Sequence, residues 1–410
     1  MRRARRAEDA AVAELVKKII YTLRMIIAFG AVFLYADELP KNEIQVTFNG
    51  YFDNFRVHIL YPTVSFTKKI GGSTSITGRY LVDCITAASM RSRFEIDGVT
   101  SATSQGSVDA VTSASQRGSG YPETTFDEVR HELNAGLYQL IGEGSLSMNL
   151  LYSTEHDYRS WTLAAQMSYP FAMKNTTVQI GLVRNWDRIF PDTRYWIRGK
   201  DVITASAALT QVLAQTWIMQ TNLSVTRMSG YLSDPYQPVP IFQNNTLIYH
   251  ETVLPDTRLR KAVGIRSNWM WSKNSSIRLG YRYYWDDWDI RSHTADILLQ
   301  HYAAKKEVIY SLGLRYYTQT HASFFKNEYS GSTGYLTVDS KLKDLRSNEF
   351  ELGLTIKGTY FDPGDLFYSE KMEYHLALGF YRRHTPTPDW FSGYTTLYAY
   401  TVSLGFRYYF

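Results

Sequence analysis

The chain has 410 residues, with 44 Lys and Arg against 39 Asp and Glu; the net charge of +5 includes a basic N-terminus and gives no reason to propose nucleic acid as a partner. The single cysteine, Cys84, excludes an intrachain disulfide and any Cys-based metal cluster. Aromatics are abundant, with 32 Tyr, 20 Phe and 9 Trp, and the mean hydropathy of −0.28 suits a soluble chain or a membrane wall in which only alternate strand residues meet lipid.

Residues 1–36 read as an export signal peptide. Lys17, Lys18 and Arg24 precede an apolar core from Met25 to Tyr35, Ala36 offers a small residue for cleavage, and Asp37-Glu38-Leu39-Pro40 follow. The core is too short to cross a bilayer, which takes about 20 apolar residues. The stretch from Arg2 to Val16 is long for a signal and reads as a mis-assigned start or a removed extension; an uncleaved anchor is the competing reading.

From residue 43 onward a two-residue alternation predicts strands near 43–51, 55–68, 74–86, 127–139, 145–153, 159–170, 176–186, 202–213, 216–227, 259–271, 275–285, 292–302, 307–318, 346–358, 371–382 and 394–410. In 371–380, Met372, Tyr374, Leu376, Leu378 and Phe380 oppose Lys371, Glu373, His375, Ala377 and Gly379. Pro62 interrupts the second strand, since proline cannot donate to a ladder. Turn signals such as Gly71-Gly72-Ser73, Lys174-Asn175, Lys273-Asn274 and Asp362-Pro363-Gly364-Asp365 separate short connections. Long ones are expected near 87–126, 187–201, 228–258, 319–345 and 383–393. In a membrane barrel, long loops face outward and short turns face the periplasm. The 228–258 stretch is too long for an idle connector: it either folds into the lumen as a plug or constriction or is mobile.

The expected fold is therefore all-β: residues 37–410 form a closed antiparallel transmembrane β-barrel of about 16 strands, an up-and-down meander with long external loops. A soluble β-sandwich also alternates, but its apolar face would meet a second sheet. The last strand puts Tyr398, Tyr400, Val402, Leu404, Phe406, Tyr408 and Phe410 on one face and Ala399, Thr401, Ser403, Gly405, Arg407 and Tyr409 on the other. It resembles the closing strand of bacterial outer-membrane barrels, and the resemblance makes Tyr408 and Phe410 an assembly signal. It implies outer-membrane lipid and the barrel assembly machinery as partners; a further periplasmic or outer-membrane partner stays unidentified.

Charged residues on the small or polar strand faces are expected to line the lumen: Arg79, Glu132, Arg266, Arg278, Arg282, Arg315, Glu349, Glu351, Lys357, Glu373, His375 and Arg407. They either tune selectivity or form wall-to-wall salt bridges. Asp286, Asp287 and Asp289, in Trp285-Asp-Asp-Trp-Asp289, are either Ca²⁺ ligands or a solvated hairpin tip beside an aromatic girdle. Asp97 and Asp109, in two copies of Asp-x-Val-Thr-Ser-Ala, hold a cation or sugar, or cap turns of a self-packing loop. Asp234, Asp256 and Arg258 fall in the 228–258 stretch, where Asp256 and Arg258 are spaced to form a pinning ion pair.

Gly-x-Ser-x-Gly, His-Glu-x-x-His, phosphate-loop and CxxC motifs are absent, and the nine histidines show no metal-ligand spacing. No enzyme activity, catalytic residue, metal or cofactor is expected. The Asp97–Thr103 and Asp109–Ser115 repeat, Asn185-Trp-Asp-Arg188, Leu209-Thr-Gln-Val-Leu213, Ser229–Tyr236, Leu254-Pro-Asp-Thr-Arg258 and Leu279–Thr294 together resemble the bacterial family known as domain of unknown function 3570. The first repeat departs only in Gly98 for Ala. The resemblance runs from about residue 43 to 410, implies an exported outer-membrane-type barrel, and carries no catalytic residue. The leading expectation is a porin-like passive channel or transport barrel in the bacterial outer membrane. Its rival is a sealed scaffold barrel that houses or displays a partner, and an outer-membrane enzyme ranks below both.

Overall fold

The computed structural model describes residues 39–54, 57–85, 128–191, 194–235, 239–243, 246–329, 334–385 and 395–410. Seventeen strands form one sheet. In chain order they are β1 (Glu43–Asp53), β2 (His58–Leu60), β3 (Thr63–Ile70), β4 (Thr74–Ile85), β5 (Glu128–Ile141), β6 (Gly144–Thr154), β7 (Tyr158–Phe171), β8 (Thr176–Ile189), β9 (Arg198–Ala214) and β10 (Trp217–Gly230). A separate hairpin, β11 (Val239–Gln243) and β12 (Thr246–His250), stands outside the sheet. The wall resumes with β13 (Thr257–Ser272), β14 (Ser275–Asp286), β15 (Arg291–Ala303), β16 (Val308–Gln319), β17 (Leu345–Lys357), β18 (Met372–His384) and β19 (Thr396–Tyr409).

Each strand pairs antiparallel with its neighbours, and β1 closes on β19 from Glu43↔Tyr409 to Asp53↔Ala399. The wall has sixteen staves, because β2 and β3 are two halves of one: both pair with β1 and with β4. The break falls at Pro62. The Tyr61 N–H still reaches Asn49 O at 2.9 Å, and Pro62 O accepts from Val82 N at 3.3 Å, so the interrupted stave keeps its ladder except where proline has no N–H.

Alternation sorts the side chains. On β19 the exposed Tyr398, Tyr400, Val402, Leu404, Phe406, Tyr408 and Phe410 face outward. Ala399 and Gly405 are buried on the opposite face, where Ser403 Oγ donates to Asn49 Oδ1 at 2.6 Å across the closing seam. The same parity puts exposed Leu314, Tyr316, Phe350, Leu352, Leu376 and Leu378 outside. The outward face is thus a largely apolar wall bordered by aromatics, as a bilayer-spanning barrel requires.

The strands run further toward the loop end than the sequence pattern predicts: Arg258 lies within β13 and Asp286 ends β14. The alternation of short and long connections is not strict. Residues 155–157 and 287–290 join their strands tightly at the loop end, while 358–371 is a longer connection at the end that carries Phe410. Described parts of the 231–256 and 320–344 connections pack against each other. Val253 and Leu336 exchange backbone hydrogen bonds of 2.9 and 2.8 Å. Buried Val239, Ile241, Tyr329 and Leu336 form a core between the hairpin and the second connection.

Candidate functional site

The inward faces of the strands make a polar wall, and its charges fall into three groups. The first spans the closing seam. Arg407 on β19 lies inward beside Gly405; its guanidinium reaches Glu43 on β1 at 3.4 Å and Glu373 on β18 at 3.6 Å, and it donates to Gln45 Oε1 at 3.2 Å. The Tyr409 hydroxyl donates to Glu373 at 3.0 Å. His375 Nε2 lies 3.9 Å from Glu373, and Lys357 stands opposite Glu373 in the register. Tyr408 and Phe410 occupy the other face, with the Lys68 ammonium 4.7 Å from the Phe410 ring centre.

The second group is paired and mostly buried. On β4 and β5, Arg130 binds Asp83, and Arg79 binds Glu132 at 2.5 Å. On β8 and β9, Lys200 binds Asp187 at 3.1 Å with side chains 2% and 0% exposed. Ser160 also donates to Asp187 at 2.6 Å. Each charge here has an opposite charge on the next strand, the arrangement that offsets the desolvation of both.

The third group is different. Arg266 on β13 and Arg278 and Arg282 on β14 face inward on adjacent strands. Among the described residues no carboxylate is ion-paired with any of the three, and Arg278 Nε and Arg282 Nε are buried without a hydrogen-bond partner. Further along the wall, Arg315 meets Glu349 at 3.9 Å, and Glu351 lies on the same face. Asp296 on β15, which the sequence reading omits, stands between Gly280 and Arg315 in this row. A Cβ on Gly280 would run into the Asp296 carboxylate, so glycine there makes room for it to lean toward β14. The signal in the sequence was an acid flanked at two-residue spacing by Thr294 and Leu298, between the outward Ala295 and Ile297.

At the loop end the acidic turn resolves into structure. Asp286 Oδ2 accepts from Arg258 Nε at 2.9 Å, Arg258 Nη2 at 2.6 Å and the Tyr284 hydroxyl at 2.6 Å. Its Oδ1 accepts from the backbone N–H of Trp288 at 3.0 Å and of Ile290 at 2.9 Å. Its carboxylate is thus committed to the turn. Asp287 accepts from Leu259 N at 2.8 Å, and Asp289 is exposed in a left-handed backbone conformation, φ 65°. The three acids do not converge, and among the described residues no group of three acids, histidines or cysteines is placed to hold a metal. The partner of Arg258 is Asp286, not Asp256: two-residue spacing along one strand is weaker than a side-chain bond across a hairpin, and Arg258 also lies 4.3 Å from the Trp288 ring centre. Asp256 is exposed and gives its backbone carbonyl to Gly230 N at 2.8 Å. Asp97 and Asp109 lie outside the described residues.

Above this turn the mouth is narrowed. Trp288, Ile290, Ala322, Phe325 and Leu342 bury against the inward-facing Ala262 and Tyr284, with Leu232 and Leu254 packed alongside. Ala322, Phe325 and Leu342 of the 320–344 connection therefore lean over the lumen rather than away from it. Gln319 Nε2 ties it down through Lys341 O at 2.7 Å and Lys343 O at 2.8 Å. Beside it a cleft of about 480 Å³ is lined by Arg198, Tyr231, Glu251, Thr252 and Asp256 among others. Asp234 lies next to Tyr231. Burial pushes the Tyr231 phenol up to about 12, against Arg198, with Asp234 and Glu251 adding to the rise, so it remains a hydrogen-bond donor.

Residues 34–384 match the model of a protein family described as "Protein of unknown function (DUF3570)". The chain belongs to that family. In this DUF3570 barrel the closing strand β19 lies beyond the matched segment, yet it completes the wall against β1. No curated protein sequence matches the chain. Among solved structures it is similar to a bacterial polysaccharide outer membrane secretin, at 7% identity and a TM-score of 0.47 over 91% of this chain and 100% of that one. It is also similar to outer-membrane expressed OmpT of Vibrio cholerae, at 9% identity and a TM-score of 0.43 over 92% and 100%. A third is CdiB from Acinetobacter baumannii, at 7% and 0.47 over 90% and 60%. At these values the likeness says nothing of what the DUF3570 barrel does.

Proposed function

We infer that this barrel sits in the bacterial outer membrane and is a passive diffusion channel whose lumen favours anions. The observation that carries the reading is the strip of Arg266, Arg278 and Arg282, three inward-facing guanidinium groups on adjacent strands that are ion-paired with no carboxylate among the described residues and outnumber Asp296, the acid whose charge Arg266 feels. Elsewhere on the same wall, at the seam and on β4–β9, charges are neutralised by neighbours. Sixteen staves enclose enough width for an aqueous path. In such a path fixed guanidinium groups lower the cost of bringing an anion out of bulk water and raise it for a cation. The mouth cluster under 320–344 sets an upper limit on solute size. No catalytic step belongs to this reading. Outward-facing Tyr408 and Phe410 on the closing seam are the element that the assembly machinery reads in this proposal, with the Phe410 end of the barrel in the periplasm.

The test is single-channel recording in planar bilayers under a KCl gradient. The channel gives stable steps and a reversal potential on the chloride side. Arg266→Ser/Arg278→Ser/Arg282→Ser moves that potential toward the potassium side. The mouth cluster favours one other reading, a barrel sealed by its own loops, and that reading gives no steps at any voltage from correctly folded protein.

A further inference from the structure

The barrel carries a second basic site, ion-paired with no acid among the described residues, on its outer surface. Arg346 and Asn348 on β17 have the same parity as exposed Phe350 and Leu352, and Arg382 and His384 on β18 the same as Leu376 and Leu378. These four side chains therefore face the bilayer. The registers bring them together in two rows. Tyr316, Asn348, Arg382 and Tyr398 stand side by side, and Thr318, Arg346, His384 and Thr396 form the next row toward the loop end. Between the rows lies a groove of about 240 Å³ lined by Tyr316, Arg346, Asn348, Arg382 and His384.

Depth along the barrel fixes what the groove meets. From Tyr374, near the Phe410 end, to Arg382 is eight steps along β18; at about 3.3 Å per residue and a tilt of about 40°, that is about 20 Å along the membrane normal. Leu376, Leu378 and Phe380 fill the interval, and Tyr316, Tyr398 and Tyr400 border it. Arg346 and Arg382 thus sit at or just above the upper aromatic border, at headgroup depth of the leaflet away from Phe410.

Among the described residues no carboxylate is ion-paired with Arg346 or Arg382. The Arg382 guanidinium lies 5.9 Å from the Tyr398 ring centre, and His384 Nδ1 is 3.1 Å from Thr396 Oγ1. The outward-facing Arg184 on β8 shows the contrast: Asp201 closes it off at 2.7 Å. Two permanent cations at headgroup depth, with no acid paired to them among the described residues, call for an anion from the membrane. Guanidinium pairs match phosphate oxygens in fork geometry, whereas Tyr316, Asn348 and His384 offer the neutral donors and acceptors that sugar hydroxyls take. The groove is smaller than the roughly 300–1,000 Å³ of a site that encloses a whole drug-sized ligand, so it suits a headgroup fragment whose acyl chains lie along the apolar wall below.

We propose that the groove binds the phosphorylated sugar headgroup of an outer-leaflet glycolipid, with Arg346 and Arg382 on the phosphate. The proposal rests on the outer-membrane orientation given above. The experiment is native mass spectrometry of the detergent-folded full chain titrated with diphosphoryl lipid A, its dephosphorylated counterpart, and phosphatidylglycerol. Diphosphoryl lipid A binds about tenfold more tightly than either of the others, and Arg346→Ser/Arg382→Ser removes that advantage, while Arg346→Lys/Arg382→Lys keeps part of it. Arg346→Gln/His384→Gln gives a second, independent loss should the serine variant fold poorly. Equal binding of the three lipids, phosphatidylglycerol matching lipid A, or serine and glutamine variants that bind like the parent chain would each overturn the proposal. A parent chain whose gel migration does not shift on heating would instead refute the membrane barrel itself.

Discussion

A single carboxylate organises the loop end of β13 and β14. Asp286 is fully buried and serves Arg258, Tyr284 and two backbone N–H groups at once, while the Arg258 side chain is only 8% exposed. Asp286→Ala leaves a buried guanidinium unpaired and two turn amides without acceptors, a loss of about 3–5 kcal/mol for a buried pair broken from one side. The expected outcome is a lower urea midpoint and fast hydrogen exchange at the Trp288 and Ile290 amides; unchanged protection there would contradict the assignment. The sequence shows three acids and two nearby arginines in a plausible order, but not which of them meet. Arg260, not Arg258, stands opposite Asp286 in the register, so the pair that forms is diagonal. Diagonal contacts depend on strand twist and side-chain reach, which spacing along the chain does not encode. Asp296 was missed for a related reason: its weight comes from Gly280 and Arg315 on the flanking strands.

At the scale of elements, the strands were legible and the connections were not. The two-residue period places every stave, including the one broken at Pro62, because one face must be apolar throughout and the other cannot be. Strand ends at the loop side escape this logic, since beyond the hydrocarbon core neither face has to be apolar. Arg346, Arg382 and Lys261 continue the outward rows of β17, β18 and β13 as charged residues. Loop packing rests on scattered side chains such as Leu232, Phe325, Leu336 and Leu342, which have no period to read. Tyr329 clasps one of these loops: its hydroxyl donates to Thr337 O at 3.0 Å and accepts from Thr337 N at 3.1 Å. Tyr329→Phe leaves both Thr337 groups buried without a partner, about 1–3 kcal/mol of local stability. Faster exchange at Thr337 and easier proteolysis within 320–344, with heat-modifiable migration unchanged, is the expected result. The turns at the Phe410 end offer the opposite sign. Ala304, Lys305 and Lys306 all have positive φ, of 46°, 55° and 74°. Lys306→Gly relieves about 1–2 kcal/mol of left-handed strain and forfeits about 0.5–1 kcal/mol through the freer unfolded chain, for a net gain of up to about 1.5 kcal/mol in urea unfolding. A lower midpoint would show that the lysine side chain stabilises the turn.

For the whole molecule, closure of β1 on β19 turns an alternating sequence into a wall with two environments, and charge is treated differently around it. At the seam and along β4–β9, inward charges are matched strand to strand; on β13 and β14 Arg258 is matched by Asp286, but Arg266, Arg278 and Arg282 are ion-paired with no carboxylate among the described residues. A barrel made only to be stable gains nothing from unmatched inward arginines, whereas a water-filled path that selects by charge needs them. Barrel type and lumen-facing residues followed from periodicity. The imbalance did not, because it depends on which charges neighbour one another around the wall. The most direct test is therefore electrical. Heat-modifiable, folded protein in a planar bilayer under a KCl gradient is predicted to give discrete conducting steps with a chloride-side reversal potential that shifts toward potassium in Arg266→Ser/Arg278→Ser/Arg282→Ser. Folded protein that passes no current at any voltage, or a triple variant with the parent's reversal potential, would contradict the account.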